Sequence, residues 1–270
     1  MVKLGLVGGA KANHGINFSR MINNNEVARE ARITSIWDCE KEHAREIADL
    51  AGIGHVCDKP EDMLGLVDGV LIIDDLTLNH QKRAKLFLSE GVPTFIDKPI
   101  APDIREAEEL FELAAAKKAP LMSCSALRFA AETEPFRQNG IGGEFFAGCS
   151  VGPSMPGLSD SLIFYGIHAV ELLLSVVGGG VKGVRYHGSK HEGTFLLDLG
   201  DRVFTVFIHT KAKGFHLSLY GPNGNAAISI TNSDMFYKNM LKSVVDMIST
   251  GVSPISAEET LEIIRIFQLN

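Results

Sequence analysis

Basic residues are in short supply. The 26 lysines and arginines stand against 33 aspartates and glutamates, a formal charge of -7. A nucleic-acid partner needs a basic stripe to meet its phosphates, and here the basic residues are scattered, so none is expected. Cysteine is sparse as well. Cys39, Cys57, Cys124 and Cys149 form no C-x-x-C pair and are not followed by histidines at zinc spacing. Four free thiols in a reducing compartment and no metal site are expected. No apolar run reaches the roughly 20 residues of a membrane-spanning helix, so no membrane partner is expected. No basic segment with a long apolar run precedes the first strand pattern, so a secretory signal is not expected and the cytoplasm is the expected location. Low-complexity tracts and internal repeats are also missing. What is present is a globular composition, 45% hydrophobic and 22% charged, in 270 residues. That length suits about two domains.

Strand and helix patterns alternate along the first part of the chain. Apolar strand runs at 2–7, 31–37, 55–57, 69–73, 94–96 and 121–123 are separated by helical patterns at 17–24, 40–50, 80–90 and 103–118. The last of these opens with Asp103 and Glu106 at capping-box spacing after Pro102. Such alternation predicts parallel βαβ units in a doubly wound α/β sheet over residues 1–122. Ligands of these sheets bind at the carboxyl ends of the strands. The loops after Val7, Trp37, Ile73 and Ile96 are therefore the ones to watch.

After Ser123 the rhythm changes. A strand at 143–150 and a long apolar helix at 158–177 precede five strand runs at 181–188, 194–199, 203–209, 215–220 and 226–230, with turn signals between them. Consecutive strands with tight turns predict an open antiparallel sheet. Helices at 234–249 and after Ser256, with Glu259 at capping-box spacing, close the chain. Residues 123–270 are read as an α+β domain for substrate binding and oligomerisation.

The run Gly91-Val92-Pro93-Thr94-Phe95-Ile96-Asp97-Lys98-Pro99 resembles the Glu-Lys-Pro segment of the Gfo/Idh/MocA oxidoreductases, with aspartate in place of glutamate. His80 stands upstream where that family commonly has a histidine. Tyr165-Gly166-Ile167-His168 resembles the family's Asp-x-Gly-x-His helix. The resemblance covers nearly the whole chain. It implies a nicotinamide-dependent dehydrogenase or reductase acting on the CH–OH group of a small polyol, sugar or related compound. It implies His168 as the acid/base, Lys98 and Pro99 beside the cofactor, and His80 among the cofactor contacts. It also implies a basic residue and substrate contacts after the sixth strand, which points to Arg128.

The residues can be read for the same chemistry. Hydride transfer at a carbinol carbon requires the hydroxyl proton to leave or return, and a group that holds and polarises the oxygen lowers the barrier. Lys98, at a strand end and restricted to extended geometry by Pro99, suits that task. An imidazole titrates near neutrality and can move the proton either way. Tyr165 and Glu171 lie three residues to either side of His168 on one helix face. Glu171 is a candidate to orient the ring and contact substrate, and Tyr165 a candidate donor to the substrate oxygen.

For the cofactor, Gly8-Gly9-Ala10-Lys11-Ala12-Asn13-His14-Gly15 follows the first strand. Against the G-x-G-x-x-G fingerprint, Gly8 takes the first place and Ala10 the second. The third falls on Asn13, or on Gly15 if the loop is longer. Asp38 ends the second strand, where a carboxylate holds the adenosine ribose and repels a 2′-phosphate. NAD is favoured over NADP, with Lys41 nearby to offset the preference. Asp75, after the fourth strand, is a further candidate cofactor contact. Three departures from the family pattern, Ala10, Asn13 and Phe164 in place of the family's aspartate, favour an alternative: a non-catalytic regulator that binds a nucleotide or sugar. A third reading is a hydrolase or lyase that oxidises its substrate transiently. The exposed face expected of the second sheet suggests a homodimer or homotetramer.

Overall fold

In the computed structural model the described residues are 1–9, 13–74, 79–139, 144–157 and 162–268. The chain divides into two compact units. The first holds Met1–Cys124 and Lys238–Thr260, the second Ser125–Tyr237 and Leu261–Asn270.

The first unit is built on six parallel strands: β1 (Val2–Val7), β2 (Ala31–Trp37), β3 (His55–Val56), β4 (Gly69–Ile72), β5 (Thr94–Asp97) and β6 (Leu121–Cys124). Their order is β3-β2-β1-β4-β5-β6, the doubly wound arrangement whose direction of growth reverses between β1 and β4. The central strands are apolar and buried along their length, as strands covered on both faces must be. Every residue of β4 is buried, as are Leu4, Leu6 and Val7 of β1 and Phe95 and Ile96 of β5. The helices α1 (Asn13–Asn23), α2 (Lys41–Ala51), α3 (His80–Ser89) and α4 (Ile104–Lys117) form the crossovers. Gly52 ends α2 in the left-handed conformation, φ 65°. Asp103 caps α4 by accepting the Arg105 N–H at 2.8 Å.

The second unit contains α5 (Glu134–Asn139), β7 (Ala147–Pro153), α6 (Leu162–Val177) and five further strands, β8 (Gly183–Gly188), β9 (Gly193–Asp198), β10 (Val203–His209), β11 (Phe215–Gly221) and β12 (Gly224–Ile230). Its sheet runs β12-β11-β7-β10-β9-β8. The antiparallel expectation needs one correction: β7 and β10 pair in parallel, so the sheet is mixed. The cause is α6, a helical crossover that carries the chain from the end of β7 to the sheet's far edge. From there two hairpin steps bring β10 back beside β7. Residues along β10 alternate strictly, with Phe204, Val206 and Ile208 buried and Val203 and Phe207 exposed. Two glycines allow α6 to lie close to this sheet. A Cβ on Gly166 would lie 2.5 Å from the Ile208 side chain, and one on Gly152 would lie 2.8 Å from Ala169.

The closing helices α7 (Ser233–Thr250) and α8 (Ala257–Phe267) each contribute to both units. This modifies the expected division at residue 122, because Lys238–Thr260 returns to the first unit. Gly69 provides the space there, since a Cβ on it would meet Ile248 of α7 at 2.7 Å, and Lys238 pairs with Glu26 at 2.8 Å. The Ser256–Glu259 capping box forms as the spacing predicts. Among the described residues no helix is long and apolar enough to cross a membrane, and no group of side chains is arranged to hold a metal ion.

Candidate active site

In the first unit the site is assembled at the carboxyl ends of β1, β2, β4 and β5. Gly8 and Gly9 follow β1 with φ of 78° and 81°, a conformation that favours glycine. The space a Gly8 side chain would need is taken by the Asp74 carboxylate, 2.6 Å from the position of an added Cβ. Asp74 is in turn paired with Arg83 of α3 at 2.9 Å, and the Arg83 guanidinium lies 4.2 Å over the Trp37 ring. Gly15 is where α1 approaches the loop most closely, because a Cβ there would sit 2.2 Å from the Gly9 carbonyl oxygen. Gly15 therefore takes the third place of the glycine fingerprint, and the loop is longer than usual. Asn13 begins α1. Ala10 and Asp75 lie outside the described residues, as does the Asn13 side chain.

Asp38 is 8% exposed at the end of β2, and its Oδ1 accepts the Glu40 N–H at 2.9 Å. Lys41 is ion-paired with Asp58, which neutralises the nearby cation that could have welcomed a 2′-phosphate. The Gly8-Gly9 turn, the N-terminus of α1 and the Asp38 carboxylate fit a dinucleotide with unphosphorylated ribose.

Lys98 follows β5 and is only 7% exposed, and the Lys98–Pro99 peptide is cis. Its neighbour Asp97 is largely buried and accepts from His14 of α1 at 3.2 Å. Burial pushes the Asp97 carboxyl up, but His14, Lys98 and His80 around it prevail and hold it well below the usual carboxylate range. His80 has a structural task at this turn. It is 2% exposed, and its two ring nitrogens face the carbonyl oxygens of Pro99 (2.9 Å) and Asp74 (3.0 Å). Both polar atoms of the ring are engaged by the backbone. His80 thus ties the end of β4 to the Lys98–Pro99 turn.

In the second unit α6 carries His168. Its Nδ1 lies 2.6 Å from the hydroxyl of Ser125, a fully buried residue that the sequence reading had not singled out. Ser125 is itself fixed twice. Its N–H donates to Glu171 Oε2 at 2.7 Å, and its hydroxyl accepts the Leu127 N–H at 3.2 Å. Glu171, 2% exposed, also accepts from Arg128 Nε at 2.9 Å. Arg128 and Glu171, both expected to touch substrate, are thereby given a structural task behind the histidine, with Ser125 holding its ring. The Tyr165 ring meets His168 edge-on at 4.9 Å, and Phe215 flanks it at 5.7 Å. Burial pushes the Tyr165 hydroxyl pKa up, so it remains a proton donor at neutral pH.

The four cysteines are free thiols, as expected, with Cys57 and Cys124 buried and Cys39 exposed.

Residues 2–124 match the sequence profile of the Gfo/Idh/MocA oxidoreductase family, NAD-binding Rossmann fold. No curated protein sequence matches the chain. Solved structures share its fold over nearly its full length. A dehydrogenase from Chromobacterium violaceum superposes with a TM-score of 0.86 at 16% identity, covering 99% of this chain and 93% of that one. An oxidoreductase from Agrobacterium radiobacter, crystallised with NAD+, L-tartaric acid and magnesium, gives 0.82 at 18% identity over 99% and 94% of the two chains. Apo scyllo-inositol dehydrogenase from Lactobacillus casei gives 0.82 at 16% identity over 98% and 93%. Identities this low establish the shared fold. Over residues 2–124, the NAD-binding Rossmann domain, the chain is similar to the Gfo/Idh/MocA oxidoreductase family.

Proposed function

We propose that this protein is an NAD-dependent dehydrogenase or reductase acting on the CH–OH group of a small polyol, sugar or related compound. The observation that carries the reading is Lys98, a nearly buried ammonium at the carboxyl end of β5, beside a carboxylate held ionised. Burying a charge is costly unless it is compensated, and such a lysine at the ligand end of a Rossmann sheet is suited to work on an oxygen. NAD, when bound, supplies the hydride acceptor. Lys98 holds and polarises the substrate oxygen, and Pro99 fixes the turn from which it projects. His168, its Nδ1 held by Ser125, takes or returns the hydroxyl proton at Nε2, and Tyr165 donates to the same oxygen. Asp38 binds the adenosine ribose and disfavours NADP.

The test is direct. Fluorescence titration is expected to show NADH binding more tightly than NADPH, and absorbance at 340 nm to show NAD reduction with a member of a panel of inositols and simple sugars. The solved relatives named as dehydrogenases motivate the panel. Binding without turnover on any member would favour the non-catalytic regulator, and no binding of either dinucleotide would defeat the enzyme reading.

The outer face of the second sheet supports self-association. Val203 (44% exposed) and Phe207 (41% exposed) of β10 lie on the face away from α6, with Leu196 of β9 and Tyr220 of β11. A patch of this kind on a sheet favours a homodimer or homotetramer. Light scattering is expected to give at least twice the chain mass for the wild type and a monomer for Phe207→Glu. A wild-type monomer would contradict it.

A further inference from the structure

We propose that His14, anchored on Asp97 in the first turn of α1, meets the pyrophosphate of bound NAD. The inference rests on the NAD reading of the same site. The usual fingerprint lets backbone N–H groups reach the phosphates because its second glycine carries no side chain. Here Ala10 places a methyl group at that point of the sequence. The closest approach of α1 to the loop has meanwhile moved to Gly15, so the residue before it, His14, falls in the first turn of α1. In this fold the pyrophosphate sits at that helix end.

His14 is well supported. Its Nδ1 lies 3.2 Å from Asp97 Oδ2, and its ring stacks on Phe18 with centroids 4.9 Å apart and planes 11° apart. A carboxylate on one ring nitrogen favours the imidazolium, which binds phosphate by charge-assisted hydrogen bonding. Lys98, next to Asp97 in the chain, and His80 of α3 also act on the Asp97 carboxylate. Beside Gly15, the next residue of α1, α2 presents the apolar Ile47.

NADH titration of the wild type, His14→Gln and His14→Lys between about pH 6 and about pH 9 tests the proposal. Wild-type affinity is expected to fall roughly tenfold as the imidazolium is lost. His14→Gln is expected to bind about tenfold more weakly at the acid end and to show a flat profile. His14→Lys is expected to bind well across the range, because its charge persists. Adenosine, which lacks the phosphates, should bind wild type and His14→Gln alike. A pH-independent wild type, a His14→Lys variant as weak as His14→Gln, or a matching loss for adenosine would each overturn the proposal while leaving NAD binding intact. Failure of the wild type to bind NADH at any pH would overturn the NAD reading with it.

Discussion

Lys98→Ala is expected to lower turnover by about 10³-fold while NADH affinity stays within a few-fold of wild type. Removing a single preorganised donor to a developing oxyanion costs about 10²–10³ in rate. In the proposed reaction Lys98 also orients the oxygen for hydride transfer, which places the expected loss at the upper end. The dinucleotide contacts assigned to the glycine loop, Asp38 and His14 do not involve the Lys98 ammonium. Asp97 keeps His14 as its partner in the variant, so the turn should hold its carboxylate ionised. The measurement is steady-state NAD reduction with the best substrate of the panel, paired with NADH titration. Turnover near wild type would remove Lys98 from the chemistry. A collapse of NADH binding would make it a cofactor anchor instead.

A second large effect is expected from Arg128→Met. Glu171 is almost fully buried, and Arg128 supplies its charged partner at 2.9 Å. Taking one member from a buried pair leaves a carboxylate short of compensation, at a cost of about 3–5 kcal/mol. Glu171 also receives the Ser125 N–H, and Ser125 holds the His168 ring, so the damage should spread toward the histidine proposed as acid/base. The urea unfolding midpoint should fall markedly, and the double variant Arg128→Met with Glu171→Leu should recover part of the loss. A change in stability below about 1 kcal/mol, the size typical of a surface ion pair, would show that the pair is not supporting the second unit.

Much of this was legible in the sequence because it depends on local pattern. Apolar runs separated by helical spacing set out the parallel sheet, and the boundaries of β10 match their expected residues. Capping boxes fix themselves over three or four positions, so the start of α8 at Ser256 was readable. Contacts between distant positions were not readable. Ser125 and His168 are far apart in sequence, and no spacing rule links a serine after β6 to a histidine on α6. The Asp97–His14 pair and the Arg83–Asp74–Trp37 cluster are hidden for the same reason, since each depends on which strand ends the fold brings together. Family position indicated that His80 matters without saying that its ring meets the Pro99 and Asp74 carbonyl oxygens. The parallel pairing of β7 with β10 was missed because local turns reveal hairpins, whereas a strand rejoined after a helical crossover leaves no local signal. The role of Gly15 was left open by sequence and decided by packing, through the Gly9 carbonyl that only a glycine could approach so closely.

The assignment of one ammonium and one imidazole to a single reacting oxygen is tested most directly by a double-mutant cycle. Hydride-transfer rates would be compared for wild type, Lys98→Ala, His168→Ala and the double variant. Groups that act as a unit lose their contributions together, so the double variant should be little slower than the worse single one. Losses that multiply in full, or a His168→Ala enzyme as fast as wild type, would contradict the assignment.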